Sequence, residues 1–164
     1  MNATRTLTTC RAAKHMNGES VSRGDIGEAK FDVIAMSLGY VVSSPKNKDS
    51  PYDHILDNGD DLFRIQTKTS ETVKETKAFG PSYFFSLGHS VDGEHNTPYA
   101  VGSFHYWVLH VADYDAWWVI PFTKLRGLRG VRMHPAPEHD EFREYRSAWH
   151  LFGRPDRALH IYRA

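Results

Sequence analysis

Four polar side chains in the first half of the chain carry groups suited to work on a phosphodiester: Glu28, Asp53, Gln66 and Lys68. Two carboxylates and an amide supply the hard oxygen donors that a divalent ion such as Mg2+ prefers. Such an ion binds phosphate oxygens, positions water and neutralises charge as the leaving oxygen departs. An ammonium beside it, that of Lys68, orients the attacking water or stabilises the pentavalent phosphate. Taken singly, each residue has a plainer reading. Glu28 suits a helix dipole, Asp53 suits a strand end, and a strand lysine is usually solvated. Their order along the chain is what gives them joint meaning.

The elements that must position them are readable from pattern. A helix is predicted from about Ser22 to Leu38, with Ser22 as N-cap and Gly39 as its stop. On it Glu28, Phe31, Ala35 and Leu38 fall at helical spacing, so a carboxylate lies in line with an apolar stripe. Short strands are predicted at Tyr40 to Ser43 and Tyr52 to Leu56, the second leading into Asn58-Gly59, a strong hairpin signal. Beyond that turn the run Leu62 to Thr69 alternates, placing Leu62, Arg64, Gln66 and Lys68 on one face and Phe63, Ile65 and Thr67 on the other. The hairpin thus brings Asp53 towards Gln66 and Lys68. Further strands are expected at Tyr83 to Leu87, His105 to Val111 and Trp117 to Ile120, with loops over 70 to 80 and 88 to 103. A last helix is expected from Glu138 to Phe152, where Phe142, Tyr145, Trp149 and Phe152 form a stripe.

Gly27-Glu28-Ala29, Gly39-Tyr40-Val41-Val42 with Pro45, Ser50-Pro51-Tyr52-Asp53 and Arg64-Ile65-Gln66-Thr67-Lys68-Thr69 together resemble the signature of the PD-(D/E)XK nuclease superfamily. The subgroup most similar includes cyanobacterial group I intron homing endonucleases, in which a Gln-x-Lys strand replaces the usual second acid. Asp113-Tyr114-Asp115 before Trp117-Trp118-Val119-Ile120-Pro121 resembles that subgroup's later strand. The resemblance implies an α/β fold with a restriction-endonuclease-like core, a mixed central β-sheet flanked by helices. It also implies Glu28, Asp53 and Gln66 as metal ligands and Lys68 as their catalytic partner. A neutral Gln66 gives less charge to the ion than an acid, so one metal, or weaker metal affinity, is expected.

Composition bounds the remaining choices. The 164 residues suit one domain, expected over 21 to 164 behind a basic arm at 1 to 20. A lone Cys10 excludes an internal disulfide and a cysteine-rich zinc framework, which suits a cytoplasmic setting. The sequence shows neither a membrane span nor a signal peptide. Twenty bases balance twenty acids, but unevenly. Residues 24 to 120 hold seven bases and fourteen acids, whereas 121 to 133 hold Lys124, Arg126, Arg129 and Arg132 and no acid. That basic segment reads equally as a phosphate-binding loop or a solvated surface. Lys46 and Lys48, near Asp53, are better placed to contact DNA.

The reading is a Mg2+-dependent DNA endonuclease, with Mn2+ as substitute, acting on double-stranded or branched DNA. Homing-type cleavage by a homodimer or homotetramer is the preferred biology, since one small domain covers only part of a long target. The rivals are a structure-specific nuclease like Holliday junction resolvases, and a non-catalytic DNA-binding protein that keeps the fold.

Overall fold

The computed structural model describes residues 19–47, 49–70, 73–76, 80–91 and 94–154. The expected basic arm, up to residue 18, and Lys48 lie outside these described residues. The first element is helix α1, Glu19–Ser37, which extends through Ser22 rather than starting there. It closes at Gly39 with φ of 91°. Gly39 N–H donates to Met36 O at 3.0 Å and Tyr40 N–H to Ala35 O at 3.1 Å, the paired bonds of a Schellman stop.

The strands follow as β1 Val41–Ser43, β2 His54–Asp57 and β3 Leu62–Ser70, then β4 Val73–Thr76, β5 Gly80–Ser86, β6 Gly88–Val91 and β7 Glu94–Pro98. The chain finishes with β8 Tyr106–Val111, β9 Ala116–Pro121 and β10 Gly130–Met133. The central sheet runs β1-β2-β3-β8-β9. Only its β3–β8 pair is parallel. The β2–β3 turn is built as its residues dictate: Gly59 takes φ of 95°, and Asn58 Oδ1 accepts from the Asp60 and Asp61 amides at 2.8 and 2.7 Å.

The sheet is covered on both faces. Against one lies α1, whose Phe31 and Ala35 join Leu56, Ile65, Val108, Trp117, Val119 and Phe152 in a core layer. Against the other lies the three-stranded β10-β5-β4 sheet, whose Tyr83, Phe85, Val131 and Met133 pack on Trp107, Leu109, Trp118 and Ile120. The class is therefore α/β with a mixed central sheet, one helix on one side and a smaller sheet on the other. Sandwiching explains why β3 does not keep one solvated polar face: Ile65, Gln66 and Thr67 are all buried.

Three sequence expectations change. The stretches 70 to 80 and 88 to 103 are not all loop, because they contain β4, β6 and β7. The segment with Lys124, Arg126, Arg129 and Arg132 ends in a strand, since Arg132 lies in β10 opposite Phe84. The final helix is replaced by three 3₁₀ turns, Pro137–His139, Arg143–Tyr145 and Trp149–Phe152. The reason is packing. Phe142 and Tyr145 cover the core layer beneath the smaller sheet, whereas Trp149 and Phe152 belong to the layer beneath α1. A straight helix presents its stripe to one side only. The chain instead wraps the free edge of β9, touching it through the Trp118–Arg146 bridge and turning at Ser147, whose φ is 48°. Among the described residues no helix is long and apolar enough to cross a membrane.

Candidate active site

The β2–β3 ladder stops at a well-defined point. Asp53 N–H donates to Ile65 O at 2.9 Å, one step before β2 begins. The next donor along the β3 edge, Thr67 N–H, is taken by the Asp53 carboxylate itself, at 2.7 Å to Oδ2. The same oxygen accepts from Gln66 Nε2 at 2.6 Å. Asp53 thus caps an opened strand edge through Oδ2.

Helix α1 supplies Glu28 because it can approach β3 closely. A Cβ at Gly27 would run into the Thr69 Oγ1, so a larger residue before Glu28 would force Thr69 or the helix to shift. One helical turn beyond Glu28, Asp32 Oδ1 lies 2.9 Å from Nδ1 of the buried His54. This contact ties α1 to the start of β2, beside Asp53. The sequence reading did not single out His54 or Asp32, although their signal was present: each is adjacent, by one helical turn or one residue, to a candidate acid.

Lys68 comes from the same β3 edge, two residues beyond Gln66. Its Nζ donates to Gly88 O at 3.3 Å, so its hydrogen bond goes to β6 rather than to Glu28. Glu28 and Asp53 reach it through their fields. The electrostatics are those of a cluster short of positive charge. Burial, then Asp53, Asp25 and Asp32, raise Glu28 to about 7, against a weaker lowering by Lys68. Burial also raises Asp53, despite the opposing Thr67 amide, His54, Lys68 and Gln66. Burial lowers Lys68, with Asp53 and Glu28 acting in the opposite sense.

This donor set fits a hard divalent ion. Two carboxylates disfavoured by burial, Glu28 also by the charge of Asp53, would be relieved by a nearby cation. Gln66 uses its nitrogen on Asp53, which leaves its carbonyl oxygen as a neutral donor. Among the described residues no cluster of three or more His, Cys, Asp or Glu side chains gathers to hold a metal.

The expected DNA contacts come from several different elements. Lys46 is exposed in the β1–β2 connection. Lys124 ends a 3₁₀ turn, Arg126 and Arg129 are exposed in the loop after it, and Arg132 lies over the Phe84 ring at 5.4 Å.

Comparison with known proteins agrees with this architecture. No curated protein matches the chain. Among solved structures, the bacterial homing endonuclease I-Ssp6803I superposes with a TM-score of 0.69 at 22% identity. The match covers 82% of this chain and 93% of that one, and shows a shared fold. The PD-(D/E)XK endonuclease profile matches residues 19–152, which contain α1, the whole central sheet and all four candidate site residues. The chain belongs to the PD-(D/E)XK endonuclease family.

Proposed function

We propose that this protein is a Mg2+-dependent, site-specific DNA endonuclease of the homing type, with Glu28, Asp53, Gln66 and Lys68 as its active site. The observation that carries this reading is the gathering of two acids raised by burial and a lysine lowered by it, around one opened strand edge. Perturbed groups of opposite sign in one recess mark functional sites.

Glu28, Asp53 and the Gln66 carbonyl hold the ion, with Mn2+ as substitute. Once bound, the ion supplies charge neutralisation at the phosphate and at the departing oxygen. Lys68 Nζ orients the attacking water and stabilises the developing negative charge. Asp53 also fixes the β3 edge, so that Gln66 and Lys68 keep their spacing.

The name of the structural neighbour favours homing-type cleavage over junction resolution, and a homodimer or homotetramer gives one small domain the reach to cut both strands. Lys46, Lys124, Arg126, Arg129 and Arg132 supply phosphate contacts.

The test is to incubate the protein with linear, supercoiled and four-way-junction DNA, in Mg2+ or EDTA, beside Asp53→Ala. Mg2+-dependent cutting that is absent in the variant is the expected result. Preference for a duplex sequence supports the homing reading, and preference for the junction overturns it in favour of a resolvase. Binding without cutting, across a broad sequence pool, overturns the catalytic reading.

A further inference from the structure

Lys68 Nζ sits in a seat that the known signature does not include. Besides donating to Gly88 O at 3.3 Å, it lies over the ring of Tyr99, 5.8 Å from the centroid. We infer that Tyr99 and Gly88 position the Lys68 ammonium, which makes the β6–β7 hairpin a working part of the active site. The two residues arrive together for a structural reason. Gly88 pairs with Pro98 across the hairpin, so its carbonyl and the Tyr99 ring come from facing positions.

Both halves of the seat are held in place. The Tyr99 ring packs on His89 at 4.5 Å and meets Phe104 and Trp107 edge-on, at 5.1 and 5.5 Å. At Gly88, an added Cβ would stand 2.5 to 2.6 Å from Asn96 backbone atoms. The hairpin strands therefore cross at a distance that only glycine permits. Burial, then the Asp53 charge, push the Tyr99 phenol up to about 12, so the ring stays neutral and keeps its electron-rich face.

The chemistry suits the task. Burial disfavours the charged amine, and a ring face with a carbonyl stabilises it. Neither offers a carboxylate that would pair with the ammonium and turn it from the phosphate. Tyr99 is thus a positioning residue that acts through Lys68. The kinetic part of this inference rests on the nuclease reading above, and the contact itself does not.

The experiment is NMR of the full chain labelled at lysine ε-carbons, with the Lys68 signal assigned by its loss in Lys68→Arg. The ring current over Tyr99 should move the Lys68 ε-methylene protons upfield, and Tyr99→Phe should keep that displacement while Tyr99→Leu abolishes it. In cleavage assays Tyr99→Leu should lower kcat by roughly tenfold, the scale of a desolvated cation–ring contact, with the DNA KM little changed. Tyr99→Phe should restore most of the rate. An undisplaced Lys68 signal in the wild-type chain overturns the seat, and this reading needs no Tyr99 variant to fold. A wild-type kcat in Tyr99→Leu, or a defect confined to KM, overturns the positioning role. A displaced signal without any cleavage upholds the seat and overturns the nuclease reading instead.

Discussion

Helix α1 contributes to two polar clusters on the same sheet, and they are electrostatic opposites. Near the β8–β9 turn, Asp115 Oδ1 accepts Lys30 Nζ at 3.3 Å and lies 3.1 Å from Nε2 of His110, which stacks on Trp117 at 3.9 Å. Burial acts to raise Asp115, but the His110 and Lys30 contacts together outweigh it and hold the acid below its ordinary range. At the β2–β3 edge the acids are raised instead, Glu28 to about 7, and the lysine is lowered. In the first cluster the acid's charge is matched within the chain by Lys30. The second is short of positive charge, and under the proposed reading a divalent cation would stabilise it. Under the proposed reading, that difference separates a structural ion pair from the active site more sharply than a count of charged residues does.

The contrast can be broken most severely at the reactive end. Asp53→Ala or Lys68→Ala should lower DNA cleavage by on the order of a hundred- to a thousandfold, as loss of a transition-state contact does. Asp115→Ala should leave the rate within about twofold, since its carboxylate contacts only structural partners. Gel-based initial rates would decide both.

Glu28→Gln should lower cleavage by about a hundredfold and yet stabilise the fold at alkaline pH. The sign follows from its raised pKa. With about 7 in the folded state against 4.5 for the free group, the folded chain binds more protons between those values. Stability therefore falls as pH rises through that window, and Glu28→Gln should flatten the fall. Asp115 runs the other way: held below 3.8, it adds stability that is lost only as pH drops through the folded value. Asp115→Asn should cost less than about 1 kcal/mol at pH 7, because the carboxylate is mostly exposed. Denaturant titrations at pH 5 and pH 8 would separate the two cases.

Gln66→Glu sharpens the contrast by a smaller step. It removes the hydrogen bond donated to Asp53 and adds a third carboxylate. The Mg2+ concentration for half-maximal cleavage should fall several-fold, while the metal-free melting temperature drops. An unchanged metal requirement would place the Gln66 carbonyl away from the ion.

The sequence disclosed what local geometry governs. Asp53, Gln66 and Lys68 meet because Asn58-Gly59 sets a tight turn and side chains alternate along β3. Gly39 ends α1 by backbone conformation alone. Contacts set by tertiary packing were not legible. The polar strands β6 and β7, Gly88–Val91 and Glu94–Pro98, have weak strand propensity and exist through mutual pairing. The stripe of Phe142, Tyr145, Trp149 and Phe152 has helical spacing, but two different core layers divide it. The Tyr99 contact with Lys68 carries no spacing signal, since it depends on a separate hairpin reaching back over β3.

The most direct test is a thermal melt at pH 7.5 with and without millimolar Mg2+ or Mn2+, on the wild-type chain, Asp53→Ala and Asp115→Asn. A cation that binds only the folded state raises the melting temperature, by an amount that grows with the logarithm of its concentration over its Kd. The wild-type chain and Asp115→Asn should both rise, and Asp53→Ala should not. A rise that survives in Asp53→Ala, or one that disappears in Asp115→Asn, would contradict the assignment of the β2–β3 edge as the metal-dependent site.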